Sequence, residues 1–158
     1  MGLDMYVFYT NRTNHTSDEL VKINNIKHLN PETPEAQPFL PLREYTALKG
    51  VFTIFHEGAY WRKANAIHGW FVDNVQKGVD DCGYYELTRE DLETLRIACA
   101  QARKTKNGGP LQPRGGFFFG SLDIDDWYWA DVKRTIEQID KLLAMDWDAR
   151  RFFYHSSW

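Results

Sequence analysis

The chain opens with "GLDMYVFYT", in which Leu3, Met5, Val7 and Tyr9 alternate with Tyr6 and Phe8. Apolar residues on both sides of a period-two pattern predict a strand covered on both faces, central or nearly central in its sheet. From Asn11 to about Arg43 the pattern weakens to a polar stretch with one short helix expected over residues 17–29, then Pro31, Pro34, Pro38 and Pro41. Prolines at that density hold the backbone extended and remove amide donors, so a long loop wrapping the domain is expected. From Tyr60, the residues Ala64, Ile67, Phe71 and Val75 recur at helical spacing, which predicts a helix starting near Tyr60 and ending at Gly78. "GVDDCGYYELT" follows as a turn and short strand, and Thr88 with Asp91 forms a capping-box pattern for a helix through about Lys104. Leu92, Leu95, Cys99 and Ala102 supply its inner face, and "NGGP" ends it.

"GGFFFGS" is short, aromatic and bounded by glycines, as a buried strand would be. Asp123, Asp125 or Asp126 then caps a third helix whose stripe is Trp129, Val132, Ile136, Ile139 and Leu143. "RRFFYHSSW" reads as a last strand. The expected fold is a single α+β domain over residues 1–158, with three or four strands in a mainly antiparallel sheet and about three helices packed on it. Neither an internal repeat nor a linker interrupts the chain.

Composition narrows the functional classes. The 158 residues are 26% charged and 43% hydrophobic, a globular balance. Nineteen basic against twenty-two acidic side chains give a net charge of −3, which lacks the basic bias of a duplex nucleic-acid binder. No apolar run approaches the ~20 residues of a membrane span, so no membrane partner and a cytoplasmic location are expected. Cys82 and Cys99 are too few for a disulfide framework and lack zinc-site spacing, so both are expected reduced, with neither metal nor cofactor. The aromatic share is the unusual figure: 15%, with six Trp, eight Tyr and ten Phe. Such an excess suits either a stiff core or a surface that grips flat ligands.

The candidate chemistry centres on "AYWRKANAIHGWFVDN". On a helical wheel Trp61, Asn65, His68 and Val72 flank the Ala64/Phe71 stripe, with Arg62 adjoining. Guanidinium, amide and indole together suit a planar, polar, phosphorylated molecule; the competing view makes Trp61 and His68 packing residues and Arg62 a snorkelling one. "DDCGYY" adds Asp80, Asp81 and Tyr84, either as a solvated turn or as carboxylates returned towards His68 or Arg62. Phe119 and Ser121 offer a second wall, although Asp123, Asp125 and Asp126 bring negative charge to the same place and suit helix capping. The expected ligand-binding set is therefore Trp61, Arg62, Asn65, His68, Asp81, Tyr84, Phe119 and Ser121. No nucleophile elbow, P-loop, zinc-protease or calcium-loop pattern is present, and an enzymatic alternative rests on His68 as acid or base oriented by Asp81.

Taken together, "MGLDMY", "YWRKANAIHGWFVDNVQKGVDDCGYYELT", "GGFFFGSLDIDDWYW" and the final "SSW" resemble a family of small uncharacterised proteins of bacteriophages and prophages. The resemblance covers roughly the first ten residues, 59–88, 115–140 and the last few. It implies a phage setting inside a bacterial host, where small aromatic-rich proteins act against host defence. Three functions follow as expectations. The first is an oligomeric binding protein for a small nucleotide-like ligand, sequestering an immune signal. The second is a nucleotide-processing enzyme using His68 and Asp81. The third is a module that binds a host protein through exposed aromatics such as Trp127, Trp147 and Trp158.

Overall fold

The structure is a computed structural model that describes residues 2–11, 44–48, 51–116 and 119–158. The short helix expected over residues 17–29 and the proline-rich loop lie outside the described residues. Eight elements follow in chain order. Strand β1 is Asp4–Asn11, β2 Glu44–Leu48 and β3 Val51–Arg62; helix α1 is Asn65–Asn74 and β4 Tyr84–Leu87; α2 is Arg89–Thr105, α3 Asp126–Leu143 and β5 Arg150–Ser157. The strands form one sheet in the order β2-β3-β1-β5-β4, every neighbouring pair antiparallel. This is the expected α+β architecture with β1 at its centre, one strand richer than foreseen because β2 pairs with a β3 that begins at Val51.

Period-two alternation sorts the side chains. Met5 and Val7 of β1, Ala59 and Trp61 of β3, and Phe152 and Tyr154 of β5 form one buried face, joined there by Ile67, Phe71, Val132 and Ile139 from the helices. Phe71 stacks on Tyr154 with ring centroids 3.9 Å apart, which seats α1 against β5. Tyr6, Phe8, Tyr60 and His155 occupy the opposite face in ring contact, Tyr6 and Phe8 stacking at 5.2 Å. The β1–β3 register slips at Val7/Phe8, and Gly58 sits at that bulge. A Cβ on Gly58 would lie 2.8 Å from Leu142 Cδ2 and 3.2 Å from the Val7 carbonyl oxygen, so a larger residue here would have to displace the Leu142 side chain of α3.

Two expectations need correction. Residues 60–62 belong to β3 and not to the helix, which starts at Asn65 and ends at Asn74, before Gly78. Tyr60 and Trp61 pair with Tyr6 and Met5, and the Tyr60 hydroxyl donates to Asp4 Oδ1 at 2.6 Å, so pairing with β1 extends the strand through Arg62. The "GGFFFGS" segment forms no strand among its described residues. Gly120 adopts φ +95°, and the carbonyls of Phe119 and Ser121 accept hydrogen bonds from the Asn65 side chain instead of a ladder neighbour.

The helix ends follow local chemistry. Thr88 Oγ1 accepts the Asp91 amide (3.1 Å) while Asp91 Oδ2 accepts the Thr88 amide (2.8 Å), a reciprocal capping box. Thr88→Ala is expected to cost about 1 kcal/mol, read as a lowered urea midpoint; an unchanged midpoint would show the cap to be redundant. Asp125 is the residue that caps α3, accepting the Tyr128 amide at 3.0 Å. Cys82 and Cys99 are both free thiols, and burial pushes that of Cys99 up to about 12. Among the described residues no helix is long and apolar enough to cross a membrane.

Candidate functional site

Helix α1 is buried along its first eight residues, Asn65 to Val72. A helix buried all round must satisfy each of its polar side chains internally. This accounts for the hydrogen-bonding groups of the helix itself, and the expected ligand set falls into three groups.

Trp61 and His68 belong to the interior. Trp61 is fully buried, and its Nε1–H donates to Thr135 Oγ1 at 2.9 Å, pinning β3 to α3. His68 is also fully buried, between Tyr154 Oη (2.7 Å from Nδ1) and Asp80 Oδ2 (3.0 Å from Nε2). A carboxylate only accepts, so Nε2 carries the proton and Nδ1 accepts from the Tyr154 hydroxyl. Burial lowers the imidazole pKa against the opposing pull of Asp80, and holds the Tyr154 phenol well above its usual range. The remaining Asp80 oxygen accepts the Trp158 indole N–H at 3.2 Å, and Phe119 meets both His68 and Trp158 edge-on. His68 and Phe119 are thus brought together in a closed network tying α1, the loop before β4, β5 and the C-terminal tryptophan.

The carboxylate that meets His68 is that of Asp80. Asp81 is exposed and accepts the Gly83 amide and the Tyr85 hydroxyl, each at 2.9 Å, closing its own turn. Tyr84 lies across the sheet from His68, stacked on His155 at 4.2 Å and 4°. Neither reaches the other expected residues, and the His68–Asp81 pairing of the enzymatic alternative is not formed.

Arg62, Asn65 and Ser121 do meet, around a cleft of about 380 Å³ between the β3–α1 turn and the start of α3. That volume falls within the range of small-molecule sites, about 300–1,000 Å³. Lys63 at φ +57° makes the turn and faces the same space, and α3 contributes Trp127, Asp131 and Arg134. Asn65 is a positioning residue: its Nδ2 donates to the carbonyls of Phe119 (3.1 Å) and Ser121 (2.7 Å), fastening the opposite wall.

The charges in the cleft are not equivalent. Asp125 is engaged at the α3 cap, and Asp123 accepts the Ser121 hydroxyl at 2.9 Å. Asp131 is half-buried, and desolvation raises its carboxyl pKa against the pull of Arg134. Among the described residues Arg62, Lys63 and Arg134 form no ion pair. Trp127 is 80% exposed at the rim, an unusual position for an indole. Asp131 and Arg134 went unrecognised in the sequence, and Lys63, though part of the crowded stretch, is absent from the expected set. The Asp131/Arg134 spacing of i, i+3 on one helix face was the available signal, but nothing local linked it to the β3–α1 turn.

Among the described residues no group of three or more His, Cys, Asp or Glu side chains is placed to hold a metal. Fold and cleft define an α+β protein with helices over one face of an antiparallel sheet and a ligand-sized hollow where β3 hands over to α1. Compared with known proteins, the chain matches no family model, no curated protein and no solved structure.

Proposed function

We propose that the cleft binds a small nucleotide-like ligand, with its phosphate against Arg62, Lys63 and Arg134 and its flat ring on Trp127. The observation that carries this is that Arg62, Lys63 and Arg134, which form no ion pair among the described residues, line one cleft with a highly exposed indole. Cations without carboxylate partners favour an anion, and an indole face favours a planar group. Asp131, the carboxylate without a capping or turn duty, is left to accept a sugar hydroxyl or a ring N–H. In the phage setting implied by the sequence resemblance, such a protein would sequester a host immune signal, working as a homo-oligomer by capture without turnover.

Native mass spectrometry of protein purified from bacterial cytosol, followed by denaturation and analysis of released material, tests the proposal and reads the oligomeric state. The expected result is a nucleotide-like mass that is lost in Arg62→Ala. With that ligand in hand, the variant should bind about tenfold more weakly at an unchanged melting temperature, the cost of one exposed charge-assisted contact. Equal affinity in wild type and variant would sink the assignment. A second view keeps Trp127 of the expected aromatic anchors for a host protein and adds Leu122, 58% exposed on the loop before α3, since Trp147 is half-buried and stacked on Phe152 at 3.9 Å and Trp158 is bonded to Asp80. Co-purification of one bacterial protein at fixed ratio, abolished by Trp127→Ala, would favour it.

A further inference from the structure

A second feature lies away from that cleft, on the outer surface where α2 and α3 run side by side. A hollow of about 420 Å³ is lined by Arg103 and Lys106 at the end of α2 and by Trp129 and Lys133 on α3. A neighbouring hollow of about 450 Å³ shares Arg103 and continues past Lys104 and Arg96. Arg96 is spoken for by Asp140 at 2.6 Å, and Lys133 has only a loose contact with Glu137 at 3.9 Å. Among the described residues Arg103, Lys104 and Lys106 have no carboxylate partner. A chain of net charge −3 therefore gathers unneutralised positive charge in one groove.

The simplest alternative is that basic residues complement the negative end of the α2 dipole. That accounts for Arg103 and Lys104. It does not account for Lys133, which sits midway along α3, far from either end of its helix. Of the terminal carbonyls of α2, that of Ala102 already accepts the Lys106 amide (3.0 Å) and the Thr105 hydroxyl (3.3 Å), and none accepts from a basic side chain among the described residues. The cations are thus available to an outside anion. Trp129, half-buried and braced edge-on by Tyr128 at 4.8 Å, supplies a fixed apolar floor. Fixed indole beside several mobile cations is the chemistry that holds a ring and a phosphate together.

We propose that the α2–α3 groove is a second site, taking a phosphorylated molecule that carries a flat ring, with the ring on Trp129 and the phosphate between Arg103, Lys106 and Lys133. This does not rest on the cleft at Arg62. The test is titration of the intact protein with ADP while following the tryptophan indole N–H signals by NMR, Trp129 being assigned through Trp129→Phe. The Trp129 signal should move saturably with ADP, and the half-saturating concentration should rise about tenfold in Arg103→Ala/Lys106→Ala, the effect of removing two exposed charge contacts. The other five indole signals report whether that variant stays folded, and Arg62→Ala should leave the Trp129 response intact. A Trp129 signal that ignores ADP, or that responds equally in the double variant, overturns the proposal. Inorganic pyrophosphate moving Trp129 as far and at the same concentration as ADP overturns the ring contact.

Discussion

Asn65→Asp is expected to destabilise the protein by about 3–5 kcal/mol, the range for an uncompensated buried charge, whereas Asn65→Ala should cost about 1–3 kcal/mol for two unsatisfied carbonyls. The buried amide sends both of its N–H groups into carbonyls, those of Phe119 and Ser121. The aspartate is nearly the same size but replaces the two donors with an acceptor-only group, so three oxygens would face one another without a proton between them. Urea denaturation gives the cost, and hydrogen exchange over residues 119–123 should show the loop loosening first. Because that loop is one wall of the cleft, ligand affinity should fall in Asn65→Ala even where the protein remains folded. An aspartate variant within 1 kcal/mol of wild type would mean that the amide does not hold the loop.

Acid should weaken the fold through His68. Its pKa is lowered in the folded protein, by burial first and by the charge of Arg114 last, against the opposing effect of Asp80. The unfolded imidazole titrates near 6.5, so between the two values the unfolded chain binds more protons and the equilibrium shifts towards it as pH falls. The stability that neutral His68 contributes is fully present above about pH 6.5 and is lost below it as pH drops through the folded pKa. Protonation also leaves both ring nitrogens as donors and removes the acceptor that the Tyr154 hydroxyl uses. His68→Gln lacks the titration but loses the fitted contacts, and should cost about 3 kcal/mol near pH 7.5, where a buried network loses a member and leaves a small void. Measured by urea midpoints from pH 7.5 to 5, the gap between wild type and variant should narrow towards acid. A gap that stays constant or widens would show that His68 does not titrate in this way.

Much of the fold was legible because the signals are local. The Thr88/Asp91 box and the stripe at Leu92/Leu95/Cys99 depend on residues a few positions apart and stand where their spacing places them. The α3 cap falls on one of the three candidate aspartates, and of the expected α3 stripe Val132 and Ile139 are buried while Trp129, Ile136 and Leu143 are partly buried beside the buried Tyr128, Thr135 and Leu142. The start of α1 was not legible. Tyr60 continues the helical spacing of Ala64, Ile67 and Phe71, yet it also alternates with Trp61 as a strand residue, and contact with β1 settled the matter in favour of the strand. "GGFFFGS" has the composition of a strand, yet among its described residues the carbonyls of Phe119 and Ser121 go to a side chain of α1 and to no ladder neighbour. Of the cleft, Arg62 and Asn65 were placed together by a helical wheel that holds for Asn65 but not for Arg62, and Ser121 as a second wall before a helix. Trp127, Asp131 and Arg134 come from a helix far along the chain.

The His68 partner shows the same division at the scale of one atom. Asp80 and Asp81 are adjacent and chemically identical, and no pattern distinguishes them. Cys82 at φ +56° turns the backbone, Asp81 closes onto Gly83 and Tyr85, and Trp158 from the far end of the chain meets Asp80, which leaves Asp80 facing the imidazole. Periodicity and capping chemistry were sufficient for the class of fold, the central place of β1 and most helix ends, since those depend on a few neighbouring residues and on which side of an element is apolar. Long-range packing chose the strand at 60–62, consigned Trp61 and His68 to the interior, and assembled the cleft from β3, α1 and α3. A buried polar group must find its partner wherever in the chain that partner lies, and the energy of that match exceeds any local preference.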